Sequence, residues 1–281
     1  MKKTIIICLF LLSLTYKHTY GTTVNNPSVH PISFEPELPS WEEVQNVIPR
    51  KSNFTVIDVE TGKKFDVQRR AGSGHADVQP LTKKDTLMMK AIYNGDWSWR
   101  RRAVLIQVKD RLIPASMHGM PHGAGAIQNG FPGHFCIHFS ESRTHRSGKK
   151  DLSHHIMILK AAGKFDEYVS TLSAKQSLEV FLLTVKNSDK YLSKKVIVSS
   201  NNNLNRSFSF FDQIEGMQWS IKEPIQDDSI ILTKKIPVET KLYLKTIGPV
   251  KVKHTFTLVR TSPFSSWKVM VDPFLKKLPN P

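Results

Sequence analysis

The apolar positions between residues 51 and 164 recur mostly with the two-residue period of β-strands. This period puts alternate side chains on opposite faces of a sheet, so half of each short run is expected to face a core. Helical spacing is limited to 83–93 and 153–162. The runs with strand patterning are 54–59, 63–67, 103–108, 111–115 and 134–139. Residues 51–164 therefore predict a mainly β first domain with short helices.

Residues 165–281 combine one apolar helix with several longer alternating strands. Along 250–259, Val252, His254 and Phe256 share one face while lysines and threonines share the other, which is typical of a half-buried strand. The helix is predicted over 174–185 and the strands over 230–238, 242–247, 250–259 and 267–271. This part predicts an α+β accessory domain. Its order, a helix before a curved antiparallel sheet, resembles the nuclear-transport-factor-2-like fold.

The first fifty residues predict export followed by a linker. A basic start, an apolar run over 4–14 and small residues up to Gly21 are typical of a secretory signal peptide over 1–21. The apolar run is too short for a permanent transmembrane helix. The proline-rich composition of 22–50 predicts an extended arm, with one short helical turn over 41–47. We expect a protein secreted to the cell wall, without a transmembrane segment.

The positive charge of the chain indicates which classes of partner it can bind. Lys and Arg outnumber Asp and Glu by 40 to 24, which gives a formal net charge of +16. Such a balance suits polyanions, and outside the cell these are anionic wall polymers rather than nucleic acid. A solvated Lys-rich surface is the alternative. The sequence has no Gly-rich phosphate loop and no paired Cys-x-x-Cys knuckle, so neither nucleotide binding nor a zinc-knuckle fold is indicated.

Cysteine content singles out one side chain. Cys8 lies in the signal peptide, so Cys136 is the one thiol expected in the mature chain. It cannot form an internal disulfide, which leaves a buried, an intermolecular or a reactive role. In a strand over 134–139, His134, Cys136 and His138 share one face, opposite an apolar face that can anchor the strand. Imidazole neighbours favour the thiolate, so this pattern indicates a nucleophile.

A nucleophile needs a base and a site for the oxyanion. His118 is the candidate base, because it ends a predicted strand directly before Gly119. Gly119 and Gly123 allow the chain to turn back towards Cys136. The backbone N–H groups around Phe135 and Cys136 are candidates for the oxyanion hole.

These residues resemble the catalytic box of the L,D-transpeptidases. That family carries a His-Gly pair, followed by a Ser/Thr-His-Gly-Cys-x-Arg or -Asn box. Here 14 residues, Gly119 to Pro132, separate His118 from Gly133, and Gly133-His134-Phe135-Cys136-Ile137-His138 stands in the position of the box. The resemblance covers residues 51–164 and implies an L,D-transpeptidase-like β-sandwich.

The resemblance implies a cysteine acyltransferase that acts on peptidoglycan stem peptides. Cys136 would attack the amide before the terminal D-alanine, and His118 would take the thiol proton. The Gly119 carbonyl would help to orient that imidazole, and His134 would line the oxyanion and substrate pocket. The acyl group would pass to an amine of a neighbouring stem, or to water. This chemistry needs no metal and no cofactor.

Three positions depart from the family's box. Gly133 replaces its Ser/Thr, Phe135 its Gly, and His138 its Arg or Asn. Phe135 alters how the backbone reaches the oxyanion, and His138 replaces a fixed cation by a titratable group. Both changes point to a divergent branch with a different acceptor, such as water. Further candidates for substrate binding are His122, Arg143 and His145.

Two other functions fit the same residues. A zinc-dependent peptidoglycan peptidase could take ligands from His75-Ala76-Asp77, His118, His134 and His138. Side chains four residues apart on a strand are separated by about 13 Å, so His134 and His138 cannot bind one ion together. The second alternative is a non-catalytic wall-binding protein, in which the histidines form a polar cluster and Cys136 is a spectator.

Overall fold

The computed structural model describes residues 37–145, 148–200, 208–221 and 230–278. The predicted signal peptide and the first part of the proline-rich arm lie outside these residues. Helix α1 (Trp41–Val47) coincides with the predicted helical turn. It begins at Ser40, whose side chain exchanges hydrogen bonds with Glu43 in a capping box. In the part of the chain described, no helix is both long and apolar enough to cross a bilayer.

Six antiparallel strands close into a barrel. Around the barrel the order is β1-β2-β3-β6-β5-β4. Helix α2 (Lys83–Ile92) packs against β2 and β3. The strands are β1 (Asn53–Asp58), β2 (Lys64–Ala71), β3 (Ala76–Pro80), β4 (Arg101–Val108), β5 (Arg111–His118) and β6 (Phe135–His138).

Alternate apolar side chains of these strands form one core. It includes Val56, Val67, Ile106 and Met117, all of them fully buried or nearly so. This is the burial expected from the two-residue period. The β3 strand was absent from the sequence prediction, because its five residues are buried on both faces and show no alternation.

Four helices follow the barrel: α3 (Leu152–Ala161), α4 (Phe165–Ser170), α5 (Ala174–Lys186) and α6 (Lys190–Val196). Helix α3 packs against β4 and β5 on one side and against α4 and α5 on the other. Its apolar residues, such as Ile156 and Met157, belong to the core of the second sheet. The helix therefore links both cores, and the domain boundary near residue 164 stays a prediction.

A second sheet of five strands completes the described chain. Its order is β7-β11-β10-β9-β8, antiparallel except for β7 beside β11. Phe181 of α5 packs against Phe256 and Phe274 in its core. The elements are β7 (Ile197–Val198), a 3₁₀ helix (Ser209–Gln213), β8 (Ile214–Ile221), β9 (Thr233–Leu244), β10 (Gly248–Val259), β11 (Lys268–Met270) and α7 (Asp272–Leu275).

The two strands predicted over 230–238 and 242–247 are one strand, β9. Burial alternates without interruption through Glu239, Thr240 and Lys241, so the break expected between the two runs does not occur. The described chain is thus a mixed structure of one six-stranded barrel, one five-stranded sheet and seven helices.

Candidate functional site

Seven of the eleven histidines surround Asp77 and Cys136 on one side of the barrel. We call these nine residues the histidine cluster. Its rings lie in a continuous series of contacts with centroid separations of 3.8 to 6.4 Å. The histidines are His75, His118, His122, His134, His138, His145 and His154.

The side chains of strand β6 alternate between the barrel core and the histidine cluster. Phe135, Ile137 and Phe139 belong to the barrel core, as predicted. On the opposite face, the Cys136 Sγ atom lies 3.8 Å from Asp77 Oδ1, and the His138 ring stacks on another imidazole at 3.8 Å. Because Asp77 on β3 pairs directly with Cys136, the barrel register brings carboxylate and thiol together.

Two further ligand-type atoms, the Nε2 atoms of His75 and His145, converge beside this pair. The Nε2 atoms of His75 and His145 are 2.9 Å apart, and they lie 3.2 and 3.0 Å from Asp77 Oδ1. Cys136 Sγ belongs to the same group, with all four ligand atoms within 4.8 Å of one another. The two imidazoles, the carboxylate and the thiol are all donors that transition metals accept.

The proton positions on His75 strengthen this interpretation. Its Nδ1 lies 2.7 Å from the Arg143 carbonyl oxygen, which can only accept, so Nδ1 carries a proton. In a neutral ring Nε2 then has a lone pair, which faces the Asp77 oxygen. Two lone-pair atoms at this distance repel each other unless a cation, a proton or a metal ion, lies between them. A ring N–H donated to a backbone carbonyl is also how proteins orient a ligating histidine.

Backbone pairing fixes the segments that carry these ligands. The Arg143 N–H donates to the Gly74 carbonyl at 2.8 Å, which holds the loop of His145 against the start of β3. The His145 side chain is 49% exposed, whereas those of His75 and Asp77 are buried. The cluster therefore opens to solvent on the His145 side.

A second pairing brings His122 and His134 together. They exchange two backbone hydrogen bonds of 2.9 Å in an isolated antiparallel bridge. Gly133 precedes the bridge with φ +127°, and a Cβ there would lie 2.5 Å from the His122 carbonyl oxygen. Only glycine fits this conformation and this space. On β3, the buried Gln79 accepts two N–H groups of the same loop.

The predicted base does not make the direct contact with the thiol. His118 is buried at the end of β5, and its Nδ1 accepts the Met120 N–H at 3.3 Å. It is the His122 Nε2 atom that lies 3.3 Å from Cys136 Sγ. Ligand atoms of His118, His122 and Cys136 nevertheless fall within 4.8 Å of one another. The structure gathers the predicted residues but puts His122 between base and nucleophile.

The electrostatics keep the thiol protonated in the absence of a cation. Burial, the charge of Asp77 and the hydrogen bond to it all raise the pKa of Cys136. Burial and the neighbouring Arg101 charge lower the pKa of His118 well below its usual range. Burial also opposes ionisation of Asp77, but the hydrogen bond with His75 and the charges of the surrounding histidines when these are protonated lower its pKa to about 2. A bound cation would reverse the effect of Asp77 on the thiol.

His138 and His154 form a wall behind His75. The three rings stack nearly parallel, with His138 4.4 Å from His75 and 3.8 Å from His154. His154, on α3, contacts Ser116 Oγ through Nδ1 at 2.9 Å. Burial lowers the pKa of both His138 and His154 well below the usual range, so these rings are neutral.

The remaining predicted residues have backbone or lining roles. The Gly119 N–H donates to Ser98, and a Cβ at this position would lie 2.4 Å from the Tyr93 ring. Arg143 serves the site through its carbonyl group. A role for the N–H groups of Phe135 and Cys136 as an oxyanion hole stays a prediction.

Sequence reasoning underrated three residues. Asp77 contacts Cys136 and three histidines of the cluster, and His145 is one of its nearest partners. The His-x-Asp spacing of His75 and Asp77 was the available signal, since period two puts both on one face. Trp99 is half exposed and lies 4.8 Å from the His118 ring, but its sequence context gave no sign of this contact.

No protein-family model matches the sequence, and the curated proteins include no significant match. The function is therefore inferred from the chemistry of the cluster.

Proposed function

We propose that the chain is a metal-dependent hydrolase of peptidoglycan amide bonds, with His75, Asp77 and His145 as ligands of a catalytic zinc ion. The observation that carries this proposal is the convergence of their three ligand atoms at 2.9, 3.0 and 3.2 Å. Zinc–nitrogen bonds of about 2.1 Å in a tetrahedron separate neighbouring ligand atoms by about 3.4 Å. The spacing therefore suits zinc with little rearrangement.

The donor set also suits catalysis. Two histidines and one carboxylate leave a fourth position for water, as in zinc peptidases. His75, Asp77 and His145 would hold the ion, which would supply polarisation of the substrate carbonyl and a bound water whose pKa is lowered to about 7. The half-exposed His145 side supports access by a large substrate. The predicted export and the resemblance to wall enzymes support peptidoglycan stem peptides as that substrate.

Cleavage of a purified disaccharide-tetrapeptide tests this function. The full chain loaded with zinc is expected to hydrolyse it, with products identified by mass spectrometry. Chelation and His75→Ala are both expected to abolish cleavage, and zinc should restore the chelated wild type but not the variant. His155→Ala is the matched control, because His155 packs against Tyr168 outside the cluster. Cleavage that persists after complete metal removal would contradict the proposal.

A second candidate function is the cysteine acyl transfer implied by the L,D-transpeptidase resemblance. The observation that favours it is the 3.3 Å contact between Cys136 Sγ and His122 Nε2, which makes His122 the base in place of His118. Intact-mass spectrometry separates the two candidates. An adduct of the stem acyl group less D-alanine, absent in Cys136→Ala and unaffected by chelator, would establish acyl transfer. If the chain is the proposed zinc hydrolase, no adduct should form, and Cys136→Ala should still cleave the tetrapeptide in a zinc-dependent manner.

We also propose that the accessory domain binds anionic wall polymers. The outward faces of β9 and β10 carry lysines, among them the directly paired Lys241 and Lys251. Such a surface supports attraction to anionic wall polymers that would hold the enzyme near its substrate.

A further inference from the structure

The histidine cluster contains more ligand atoms than one zinc ion takes. His75, Asp77, Cys136 and His145 form one group, whereas His122, His134 and His145 form another, each with its ligand atoms within 4.8 Å. A zinc ion in a protein takes three or four protein ligands. One ion in the first group therefore leaves His122 and His134 without a metal, although they stand beside it.

These two histidines are oriented in the manner of ligands. His134 Nδ1 lies 2.9 Å from the Ala124 carbonyl oxygen, and His122 Nδ1 lies 3.2 Å from that of Met120. Each carbonyl can only accept, so each Nδ1 carries the proton and each Nε2 presents its lone pair. The same arrangement holds His75. Three rings thus have their second nitrogen fixed on backbone, as in metal sites.

The Nε2 lone pairs of His122 and His134 face atoms of Asp77 and Cys136, which belong to the first group. His134 Nε2 lies 3.9 Å from Asp77 Oδ1, and His122 Nε2 lies 3.3 Å from Cys136 Sγ. Asp77 therefore stands between the two groups, with Cys136 beside it. A carboxylate in that position can bridge two ions, and paired catalytic ions are about 3.5–4 Å apart.

We infer that the cluster is a binuclear centre, in which His122 and His134 hold a second divalent cation next to the ion on His75, Asp77 and His145. This inference rests on the proposed function and adds a second ion to the same centre. Two ions can share the attacking water and stabilise the oxyanion that forms at the amide carbon. The isolated bridge between His122 and His134, which requires Gly133, would then serve to fix two ligands at once.

Metal stoichiometry tests the inference without relying on activity. The full chain is saturated with Zn²⁺, freed of unbound metal by gel filtration and analysed by elemental mass spectrometry. We expect two ions per chain for the wild type and for the control His155→Ala, and one for His134→Ala. Circular dichroism establishes that each variant is folded. A wild-type value of one ion or none, or two ions retained by His134→Ala, would overturn the inference.

Cobalt supplies an independent readout. Two Co²⁺ ions bridged by one ligand couple magnetically. The electron paramagnetic resonance signal of high-spin Co²⁺, expressed per cobalt, should therefore be weak in the wild type and larger in His134→Ala. Equal signals per cobalt in both proteins would contradict a bridged pair. Two bound ions without cleavage of the tetrapeptide would refute the proposed function alone, whereas cleavage with a single ion would refute the binuclear centre alone.

Discussion

Buried histidines have polar neighbours in the barrel and aromatic neighbours in the second sheet. In the barrel, the nitrogens of His75 and His145 converge on the carboxylate of Asp77. In the second sheet, His254 lies edge-on to Phe256 at 4.6 Å and packs near Phe274 at 5.7 Å. Burial fraction does not distinguish them, since His75 and His254 are both buried. Their contacts do distinguish them: His75 faces a carboxylate, whereas His254 packs on aromatic rings, and this difference is why we propose the barrel cluster as the site of chemistry.

The comparison has an energetic side. Buried polar groups destabilise a fold unless each has a partner, and neutral rings of the cluster present lone pairs to the Asp77 carboxylate, so a bound cation would stabilise this arrangement. The second sheet has an aliphatic and aromatic core that needs no ligand. We therefore expect the second sheet to contribute stability under all conditions, and the cluster to contribute it only when a metal is bound.

The largest expected loss of stability comes from a substitution in the apolar core of the second sheet. Phe256 is fully buried and contacts Phe181 and Phe274, so Phe256→Ala should lower the free energy of unfolding by about 4 kcal/mol. Zinc affinity of the folded fraction should be unchanged. Urea denaturation and zinc titration measure the two quantities, and a loss of affinity would show that the two regions are coupled.

The buried ion pair of the barrel should have the next largest effect. Asp58 accepts two hydrogen bonds of 2.7 Å from Arg102. Burial opposes the ionisation of Asp58, but these bonds and the Arg102 charge outweigh it and lower its pKa. Its stabilisation is present above the unfolded pKa of about 3.9 and is lost as pH falls through the lower folded value.

Asp58→Ala should therefore cost about 3 kcal/mol at pH 7, because it leaves Arg102 without its buried partner. The cost should shrink as the pH is lowered below about 4. Urea denaturation across pH 2–7 measures this, and a cost that does not change with pH would contradict the assigned role of the pair.

Zinc should stabilise the wild type through Asp77. A ligand at 100 times its Kd adds about 2.7 kcal/mol to the free energy of unfolding. Asp77→Asn replaces the charged donor, and we expect its zinc affinity to fall by more than about 100-fold, so this gain disappears. Asp66→Asn is the control, since Asp66 is exposed and bonds to Thr55 on the barrel surface. Thermal melts with and without zinc provide the measurement; equal gains in both variants would remove Asp77 from the metal site.

The smallest effect should come from His254. Its ring is packed among phenylalanines, and burial followed by the Lys277 charge lowers its pKa, so it is neutral in the fold. His254→Phe should change stability by less than about 1.5 kcal/mol and leave zinc binding unaltered. A large effect on metal content would show that the orientation of ring nitrogens is a poor guide to function in this chain.

The sequence predicted those features of the fold that depend on residues close to each other along the chain. The helix over 41–47 and the two faces of β6 follow from capping and from period two, and both were confirmed. The convergence of His75 with His145 depends on the antiparallel pairing of β3 with β6 and on the Gly74–Arg143 backbone bond. Residues that far apart leave no periodic signal in one sequence. The sequence therefore indicated histidines that lie near Cys136, whereas the 3.3 Å contact with its Sγ atom is made by His122, and the identity of the base stays a prediction.

The uneven exposure of the ligands has a kinetic consequence. His75 and Asp77 are buried while His145 reaches solvent, so in the proposed zinc site an incoming ion would meet His145 first and a departing ion would leave it last. In the proposed site His145 would control metal exchange, so its replacement should slow metal capture and, because one ligand is lost, also lower zinc affinity. The predicted export would leave the protein to take its ion from a dilute and changing medium, and in that setting the speed of capture would decide what fraction of the chains is active.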